Sequence, residues 1–453
     1  MNKRILFIAY FYPPLGGPGV QRPLKTIKYL KNYGWEIDVL SVKDIQFHSF
    51  DYTLLEESKA DNIYYTHSLD IMSLYKKLIP NKKKDELYYN TPEKIKRVIR
   101  GLFPIDDKIG WFPFAYKKGL SLLKKKKYDC IFATIGPFTS GVLAYHLSKK
   151  AKIPYFVDYR DLWTLHSYTQ YKLKFLFTHA RNYESNILQS AQGVFITGNK
   201  MREKLIAHFG EELRDKIEVV YNGFDEDDFL SPRHQGTEPK QKTILIRYVG
   251  NIYAHQNLYF FITTLEQMEK HKEIPENVRF EFIGNYYIET LNLLKSEVLS
   301  PYISIIPQVE HHVAVNFMQT ADLLLLFLSS NEGESTIPGK IFEYIRVNKH
   351  ILAMIPENGE PAQILKSLGH KYICNMEDTQ KIRVFLNDFF SSLSCPTRDK
   401  GAGGDRGTQD PLSDDSSLST KAANEFTSNS SIAEYSRKNQ TDKVNNFISN
   451  KLF

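Results

Sequence analysis

The chain has 453 residues, which is too long for one typical domain and predicts two. Hydrophobic residues make up 42% of it and charged residues 25%, so a wholly disordered chain is excluded. Its longest apolar runs, such as residues 323–328, are far shorter than the roughly 20 residues that cross a bilayer. The three cysteines are widely spaced and predict neither a disulfide framework nor a zinc site, so we expect a cytoplasmic protein.

The net charge is +7, and much of the basic charge lies in two runs of lysines, at residues 82–84 and 124–127. Each run is either an ordinary solvated surface or a surface that attracts an anionic membrane. The basic residues are not interleaved with aromatic residues as in a nucleic-acid-binding module, so we expect no nucleic acid partner.

The first half of the chain alternates strand and helix signals. Residues 4–10 are an apolar run, typical of a strand that is buried on both faces. Helical spacing follows over residues 20–33 and ends at Gly34, and residues 36–42 predict a second strand. This order implies a right-handed crossover and a parallel sheet. Further short strands are predicted at residues 128–134, 154–158 and 193–197.

The second half repeats this alternation after a polar stretch. Strands are predicted at residues 243–249, 278–283, 304–306, 321–327 and 349–354, with a helix over 258–272. We therefore expect an acceptor-side domain over 1–222, a linker over 223–242 and a nucleotide-binding domain over 243–393. A polar, disordered insert is predicted over 394–423. Apolar residues at helical spacing then predict a terminal helix over 424–453 that docks back on the body.

A glycine cluster follows the first strand. Gly16, Gly17 and Gly19 would let backbone amides approach a phosphate at the start of a helix. The alternative is a tight strand-to-helix turn without a ligand. The spacing is not GxGxxG and no Lys-Ser/Thr pair follows, so neither a dinucleotide site nor a Walker loop is predicted.

Charged side chains cluster at the end of the strand predicted over 154–158. Asp158, Arg160 and Asp161 lie where ligands bind in open α/β sheets. The alternative is a helix cap by Asp161 together with a local ion pair.

A third cluster follows the apolar strand 321–327. Glu332, Glu334, Lys340 and Glu343 lie around a Pro-Gly turn that opens a helix. A carboxylate one turn into a helix can bind two vicinal ribose hydroxyls, and a lysine with helix N-terminal amides can bind a diphosphate. The alternative is an acidic surface loop followed by a capped helix.

Smaller candidate pieces lie at the ends of other strands, and each by itself is more often only a turn. They are Gly250 with Asn251, Gly284 with Asn285, and the loop with Asn358, Gly359 and Glu360. The histidines are scattered along the chain and suggest no metal site.

Four stretches together resemble the retaining GT-B glycosyltransferases of the "group 1" family, which build bacterial polysaccharides. They are FYPPLGGPGVQR (11–22), VDYRDLWT (157–164), VVYNGFD (219–225) and IPGKIFEYIRVNKHILAMIPENGEPAQIL (337–365). The resemblance implies an α/β chain with two facing Rossmann-like domains and a C-terminal helix that crosses back to the first domain. It also implies a donor nucleotide on the second domain and an acceptor mainly on the first.

The resemblance assigns roles to individual residues. Glu343 matches the ribose-binding glutamate, and Gly16, Gly17 and Gly19 match the loop that faces the donor phosphates. The loop of Asn358, Gly359 and Glu360 would lie near the sugar or nucleotide.

The chain also departs from the family pattern. Many members have two glutamates separated by seven residues, whereas eight separate Glu334 from Glu343 and ten separate Glu332 from it. Many members carry Arg and Lys after the first strand of the second domain, and residues 250–256 contain neither. Lys340, Arg247 or Arg160 would substitute for them.

These observations predict transfer of a sugar from a UDP- or GDP-linked donor to a saccharide or lipid-linked acceptor in cell-surface polysaccharide synthesis. We expect retention at the anomeric carbon and neither metal nor cofactor. Asp158, Arg160, Asp161 and Glu334 are the predicted catalytic residues, and an anionic membrane surface is a further candidate partner. The alternatives are a nucleotide-sugar epimerase and a non-catalytic nucleotide-binding protein. A nicotinamide-dependent oxidoreductase is disfavoured by the missing GxGxxG.

Overall fold

The computed structural model of the protein describes most of the chain. The described residues are 3–43, 45, 50–69, 101, 103–166, 171, 173–230, 243–252, 258–329, 334, 336–394 and 429–453. Most of the predicted linker, the whole of the predicted insert beyond residue 394, Glu332 and the lysine run 82–84 lie outside them.

The chain forms two compact units. Unit 1 contains Met1–Ser231, Asn331–Phe342 and Ala433–Phe453, and unit 2 contains Pro232–Ser330 and Glu343–Ile432. The domain boundaries drawn from the sequence stay a prediction, because much of the linker and the insert is outside the described residues.

Unit 1 is built on a seven-stranded parallel sheet in the order β3-β2-β1-β4-β5-β6-β7. The central strand β4 is buried at every position, as its mainly apolar sequence CIFATI predicts for a sheet covered on both faces. The strands are β1 Lys3–Ile8, β2 Trp35–Val42, β3 Asn62–Thr66, β4 Cys130–Ile135, β5 Tyr155–Tyr159, β6 Gly193–Ile196 and β7 Ile217–Val219.

Helices connect these strands and cover the sheet. In chain order they are α1 Pro18–Lys31, α2 Thr53–Glu57, α3 Phe112–Lys125, α4 Thr139–Ala151, α5 Lys174–Ser190 and α6 Asn199–Phe209. Short 3₁₀ helices lie at Ile109–Trp111, Glu211–Lys216 and Glu226–Phe229.

Unit 2 repeats the architecture with a six-stranded parallel sheet in the order β10-β9-β8-β11-β12-β13. Its strands are β8 Ile244–Val249, β9 Val278–Ile283, β10 Ile303–Ile306, β11 Leu323–Phe327, β12 His350–Met354 and β13 Ile373–Cys374. Its helices are α7 Tyr259–Lys270, α8 Ile288–Leu294, α9 His311–Gln319, α11 Glu360–Ser367 and α12 Thr379–Ser394. Helix α10, Lys340–Val347, begins in unit 1 and ends in unit 2.

The predicted α/β class with two parallel sheets is confirmed. In each sheet the first three strands of the unit are added one after another toward one edge, and the later strands are added toward the other edge. The connection reverses between β1 and β4 in unit 1 and between β8 and β11 in unit 2. Open α/β sheets bind ligands at this switch point, beyond the carboxyl ends of the strands.

The predicted terminal helix is also confirmed, as helices α13 Asn429–Ala433 and α14 Arg437–Leu452. Helix α14 packs on unit 1, where Val444 and Ile448 join the buried core. The indole of Trp35 donates a hydrogen bond to Asn445 (2.9 Å), which ties the amino end of β2 to the helix.

The VVYNGFD stretch owes its glycine to this returning chain. Gly223 has φ +66°, and a Cβ there would lie 2.6 Å from the carbonyl oxygen of Tyr435. On either side the backbone is paired, since Phe224 donates to the Tyr435 carbonyl (3.1 Å) and Arg437 donates to the Phe224 carbonyl (2.7 Å). Only glycine combines this backbone conformation with so close an approach.

We expect Gly223→Ala to lower the free energy of unfolding of unit 1 by about 2–4 kcal/mol, from backbone strain and the contact with Tyr435. The matched control is Gly34→Ala, because Gly34 has φ +78° but a Cβ added there would meet nothing within 4 Å. Its expected loss is about 1–2 kcal/mol. Urea unfolding followed by tryptophan fluorescence reports on unit 1, since all three tryptophans lie there. Equal losses in the two variants would contradict the role of the Tyr435 contact.

Candidate functional site

The glycine cluster lies at the switch point of unit 1, between the end of β1 and the start of α1. Gly17 occupies the N-cap position with φ +88°, and a glycine there brings no capping side chain to the amides of the first turn. The backbone at Gly19 is held in place by Arg160, which donates a hydrogen bond to its carbonyl oxygen (2.7 Å). The loop therefore has the backbone form that can present amides to a phosphate.

Arg160 joins the two loops that flank the switch point. Besides Gly19 it donates to the carbonyl oxygens of Gly136 (2.6 Å) and Ile135 (3.3 Å) after β4. Burial lowers the pKa of its guanidinium, although Asp161 and Asp158 oppose this effect. The described contacts of Arg160 fix loop geometry, and its catalytic role stays a prediction.

Asp158 is buried and paired with Arg22 of helix α1. Its carboxylate accepts from the Arg22 Nη2 (2.6 Å) and Nε (2.9 Å), and from the Thr134 hydroxyl (3.1 Å). Arg22 also donates to the carbonyl oxygens of Val220 and Tyr221 (both 2.9 Å). The pair thus connects α1, β5 and the segment after β7. The catalytic role that the sequence suggested for Asp158 stays a prediction.

The rest of the VDYRDLWT stretch is held by Glu184 of helix α5, which is fully buried. Glu184 accepts hydrogen bonds from the Tyr159 hydroxyl and from the Thr164 hydroxyl and backbone amide, the last at 3.0 Å. Burial raises the pKa of this carboxyl group despite these bonds. Asp161, by contrast, is exposed, so it is the carboxylate of this stretch that a solute can reach.

The amino end of helix α4, at the same edge, is occupied by a carboxylate. Asp106 accepts from the Thr139 backbone amide (2.8 Å) and hydroxyl (2.7 Å). Burial, with a smaller contribution from Asp107, raises the pKa of Asp106 to about 6. A carboxyl group with a raised pKa destabilises the native state when it ionises.

The native state should therefore lose stability as the pH rises from about 4 to about 6, and Asp106→Asn should remove this loss. Relative to wild type, the variant should gain about 1–3 kcal/mol between pH 4.5 and pH 7. Urea unfolding at the two pH values measures the difference, with the exposed Glu203→Gln as control. A difference between variant and wild type that does not change with pH would contradict the raised pKa.

Three amide side chains lie at the carboxyl ends of β8, β9 and β10 in unit 2. Gly250 and Asn251 follow β8, and the Asn251 side chain accepts from the Asn285 backbone amide (3.0 Å) after β9. The Asn285 side chain donates to Gln308 (2.6 Å) after β10. The ends of three neighbouring strands are thereby joined by polar groups that can read hydrogen-bonding edges of a ligand.

Glu343 lies in the first turn of helix α10, which follows β11 across the same switch point. It is partly buried, and its Oε1 lies 2.9 Å from the His311 Nε2 of helix α9. The next residue, Tyr344, is buried and its hydroxyl accepts from the Val249 backbone amide (3.0 Å) at the end of β8. Glu343 is therefore held beside Gly250, at the place where a ligand is expected.

The remaining predicted residues lie around this centre. Lys340 is the first residue of α10 and is partly exposed, one turn before Glu343 on the same helix face. Glu334 is exposed in the preceding loop. Gly359 forms the N-cap of α11 after β12, with Glu360 buried and Asn358 exposed beside it. Their roles stay predictions.

Sequence reasoning missed Arg22, Glu184 and His311. The partners of these side chains are distant in sequence. Arg22 pairs with Asp158, 136 positions away, and Glu184 accepts hydrogen bonds from residues 20–25 positions away. His311 was counted among the scattered histidines, although its position at the start of a helix before β11 was a usable signal. Among the described residues, no group of three or more His, Cys, Asp and Glu side chains is placed to hold a metal ion. None of the described helices is long and apolar enough to cross a membrane.

Comparison with known families agrees with this geometry. Residues 77–228 match the family model described as Glycosyltransferase Family 4. The match covers about a third of the chain and, with the two parallel sheets and the returning terminal helix, it agrees with the resemblance to GT-B glycosyltransferases that the four sequence stretches carry. A search of curated protein sequences returns no match.

Solved structures share the fold at low sequence identity. HepE from Anabaena in complex with UDP-glucose has a TM-score of 0.57 and 14% identity, covering 86% of this chain and 90% of its own. Sucrose-phosphate synthase from Thermosynechococcus elongatus has a TM-score of 0.56 and 12% identity, with coverages of 86% and 90%. UDP-GlcNAc 2-epimerase from Neisseria meningitidis, bound to UDP-GlcNAc, has a TM-score of 0.54 and 14% identity, with coverages of 99% and 100%.

Proposed function

We propose that this glycosyltransferase moves a sugar from a UDP- or GDP-linked donor to a hydroxyl of a saccharide or lipid-linked acceptor in cell-surface polysaccharide synthesis. The proposal includes retention at the anomeric carbon and a reaction that needs neither a metal ion nor a further cofactor. It places the enzyme in the cytoplasm, at the inner face of the membrane.

The observation that carries the proposal is the position of Glu343. Its carboxylate lies at the switch point of unit 2 and is held from one side by His311. A carboxylate has two oxygens and can accept hydrogen bonds from two vicinal hydroxyls, which the ribose of a nucleotide presents. The UDP-glucose complex of HepE shows that a protein of this fold binds such a donor.

Negative charge builds up on the diphosphate as it leaves the sugar, so the site needs positive charge beside it. Lys340 and the amino end of α10 supply it in this proposal, because helix amides and a lysine stabilise phosphate oxygens without rearrangement. Gly16, Gly17 and Gly19 of unit 1 are separate candidates for phosphate binding, because the backbone there can present amides. The amides of Asn285 and Gln308 are suited to the hydrogen-bonding edge of the base.

The acceptor is assigned to the carboxyl edge of unit 1. Asp161 is the exposed carboxylate there, so it is our candidate for positioning the acceptor hydroxyl. The buried Asp158 and the loop-binding Arg160 support the same edge from within. Glu334, which is exposed before α10, is our candidate for the first of the two glutamates that the family resemblance implies.

A thermal-shift screen of UDP-, GDP- and ADP-sugars tests the donor class. A ligand that binds only the native state stabilises it by about 2.7 kcal/mol at 100 times its Kd, so one nucleotide series should raise the melting temperature. Product analysis with the donor that binds and simple saccharide acceptors then tests transfer and anomeric outcome. No shift with any nucleotide sugar at millimolar concentration would overturn the proposal.

A second candidate is a nucleotide-sugar epimerase, because the Neisseria meningitidis epimerase covers 99% of this chain with the same fold. An epimerase acts on the donor without an acceptor. Incubation with donor alone, followed by separation of the sugars, distinguishes the two. An epimerase produces a new epimer from the donor alone. A transferase leaves the donor unchanged until an acceptor is added.

A further inference from the structure

Four lysine and arginine side chains are buried among the described residues. Three of them have a carboxylate oxygen within 2.7 Å of the charged group, namely Arg22, Lys25 and Arg247. The fourth is Arg437, the first residue of helix α14, which is 7% exposed and has no ion-pair partner in the described part of the chain. A buried charge without a counter-ion is strongly unfavourable, so this guanidinium needs an anion beside it.

The hydrogen bonds of Arg437 involve only one of its three side-chain nitrogens. Nε donates to the carbonyl oxygen of Gly223 (3.1 Å). Nη1 is buried and donates to none of the described residues. The side chain as a whole keeps a small exposed fraction, so it is not closed off from solvent. A water molecule could accept one of these hydrogen bonds, but it would not neutralise the charge.

The carboxylates nearest to Arg437 in the sequence bind other groups. Glu434 lies three positions before it, and its carboxylate is 3.7 Å from the ammonium group of Lys443. Asp225 lies two positions after the glycine that Arg437 contacts, and its carboxylate is 2.7 Å from the ammonium group of Lys28. Neither of these carboxylates serves as the counter-ion of Arg437.

The amino end of helix α14 adds to the positive charge of Arg437. The helix has 16 residues, so its dipole places partial positive charge at its first turn. The Ser436 hydroxyl caps the helix by accepting from the Asn439 backbone amide (3.2 Å), but a hydroxyl brings no negative charge. The first turn of α14 contains the exposed Lys438 and no acidic residue. The buried guanidinium and the helix end therefore favour an anion at the same place.

Arg437 is connected to the turn that opens helix α10. Asn222 precedes the glycine that Arg437 contacts, and its side chain donates to the Ile337 carbonyl oxygen (3.4 Å). Tyr435 packs against Phe342 of α10, with ring centroids 5.4 Å apart. The segment that carries Arg437 therefore lies beside the first turn of α10, to which we assigned the diphosphate of the donor.

We propose that Arg437 and the amino end of α14 form a binding site for a phosphate group. The planar fork of an arginine matches two oxygens of a phosphate, which accept its hydrogen bonds and neutralise its charge. Two sources of this group fit the position, namely free inorganic phosphate and the diphosphate of a nucleotide. Phosphate binding at Arg437 goes beyond the proposed function and is tested without a sugar donor.

Thermal unfolding of the full chain in sodium phosphate and in sodium chloride, at equal pH and ionic strength, tests the phosphate site. Phosphate at about ten times its Kd should raise the melting temperature of wild type by roughly 2–5 °C relative to chloride. Arg437→Gln, which keeps an amide that can donate to Gly223, should bind phosphate at least about tenfold more weakly. The matched control is Lys438→Gln, which removes an exposed lysine from the same helix turn and should respond as wild type does.

The stability of the variants without phosphate separates this site from a purely structural role. In chloride, Arg437→Gln should melt at or above the wild-type temperature, because it removes a buried charge that lacks a counter-ion. In phosphate the order should reverse. An arginine that only holds the Gly223 carbonyl would instead make Arg437→Gln less stable by the same amount in both buffers. Arg437→Lys keeps the charge without the fork and should retain part of the phosphate response.

Competition between phosphate and UDP or GDP identifies the source of the phosphate group. Competing ligands assign the site to the diphosphate of the nucleotide, and additive thermal shifts assign it to free phosphate. Uridine and guanosine lack a phosphate and should not compete with it.

The result that overturns the inference is a wild type that is stabilised by neither phosphate nor nucleoside diphosphate relative to chloride. A variant Arg437→Gln that responds to phosphate as wild type does would overturn it as well. The nucleotide-sugar screen is a separate measurement on the same preparations. Failure of the proposed function there leaves the phosphate result unaffected, and the two failures are therefore distinguishable.

Discussion

Glu343→Ala is expected to lower kcat/KM for the nucleotide-sugar donor by about 100- to 1000-fold. The substitution removes a carboxylate that is held ready by His311 and that we assign to two ribose hydroxyls. Hydrogen bonds to a charged group are worth about 1.5–3 kcal/mol each, and a tenfold change in rate is about 1.4 kcal/mol. Steady-state kinetics with the donor found in the thermal-shift screen measure the effect.

Three comparisons make this prediction specific. Wild type should favour the ribonucleotide donor over its 2′-deoxy analogue, and Glu343→Ala should lose that preference, because the carboxylate that reads the hydroxyl is gone. His311→Ala should lower donor affinity more mildly, and His311→Gln, which keeps a hydrogen-bond donor, should recover part of it. His312→Ala is the control, because its side chain is 60% exposed and pairs with Glu310 instead. Turnover of Glu343→Ala at the wild-type rate would show that the assigned site is wrong.

Asp158→Ala is expected to lower the free energy of unfolding of unit 1 by about 3–5 kcal/mol, since it leaves the Arg22 guanidinium buried without its carboxylate. The side chains of both partners are more than nine-tenths buried, and the pair joins α1, β5 and the segment after β7. Tryptophan fluorescence during urea unfolding measures the change. This loss should appear whether or not Asp158 also contacts an acceptor.

The neighbouring carboxylate supplies the control. Asp161→Ala should change stability by no more than about 0.5 kcal/mol, because Asp161 is exposed, but it should raise KM for the acceptor if our assignment holds. The double variant Arg22→Met/Asp158→Leu should be more stable than Asp158→Ala, because it removes both buried charges. An Asp158→Ala variant as stable as wild type would contradict the structural role of the pair.

The sequence predicted ten of the thirteen strands and missed three short ones. Strands β1, β2, β4, β5, β6 and β8 to β12 were expected within about two residues of their bounds, because each carries apolar residues either in a run or at every second position. Strands β3, β7 and β13 were missed. Each has at most five residues and lies at a sheet edge, and β3 and β7 are also partly exposed, so the apolar signal is too short to separate from a loop.

The residues of the candidate site were also predicted only in part. The sequence indicated that Gly16, Gly19 and Glu343 follow strands, because glycines and charged residues interrupt an apolar pattern visibly. It did not indicate that Asp158 forms a buried ion pair with Arg22, or that Glu343 contacts His311, since these partners lie 136 and 32 positions away. The glycine of VVYNGFD was assigned to the family pattern, and only the returning chain at Tyr435 explains it physically.

The sequence by itself determined the two parallel α/β sheets and the returning terminal helix, because buried strands, strand-end glycines and helix starts are local features that residue order records directly. The likeness to GT-B glycosyltransferases came from the resemblance of four stretches and not from these patterns. Only the tertiary structure decided which charged residues form buried ion pairs, as Asp158 does, and which are exposed to solvent, as Asp161 is. It also decided that His311 lies beside Glu343, because proximity across a sheet depends on strand order and not on distance along the chain.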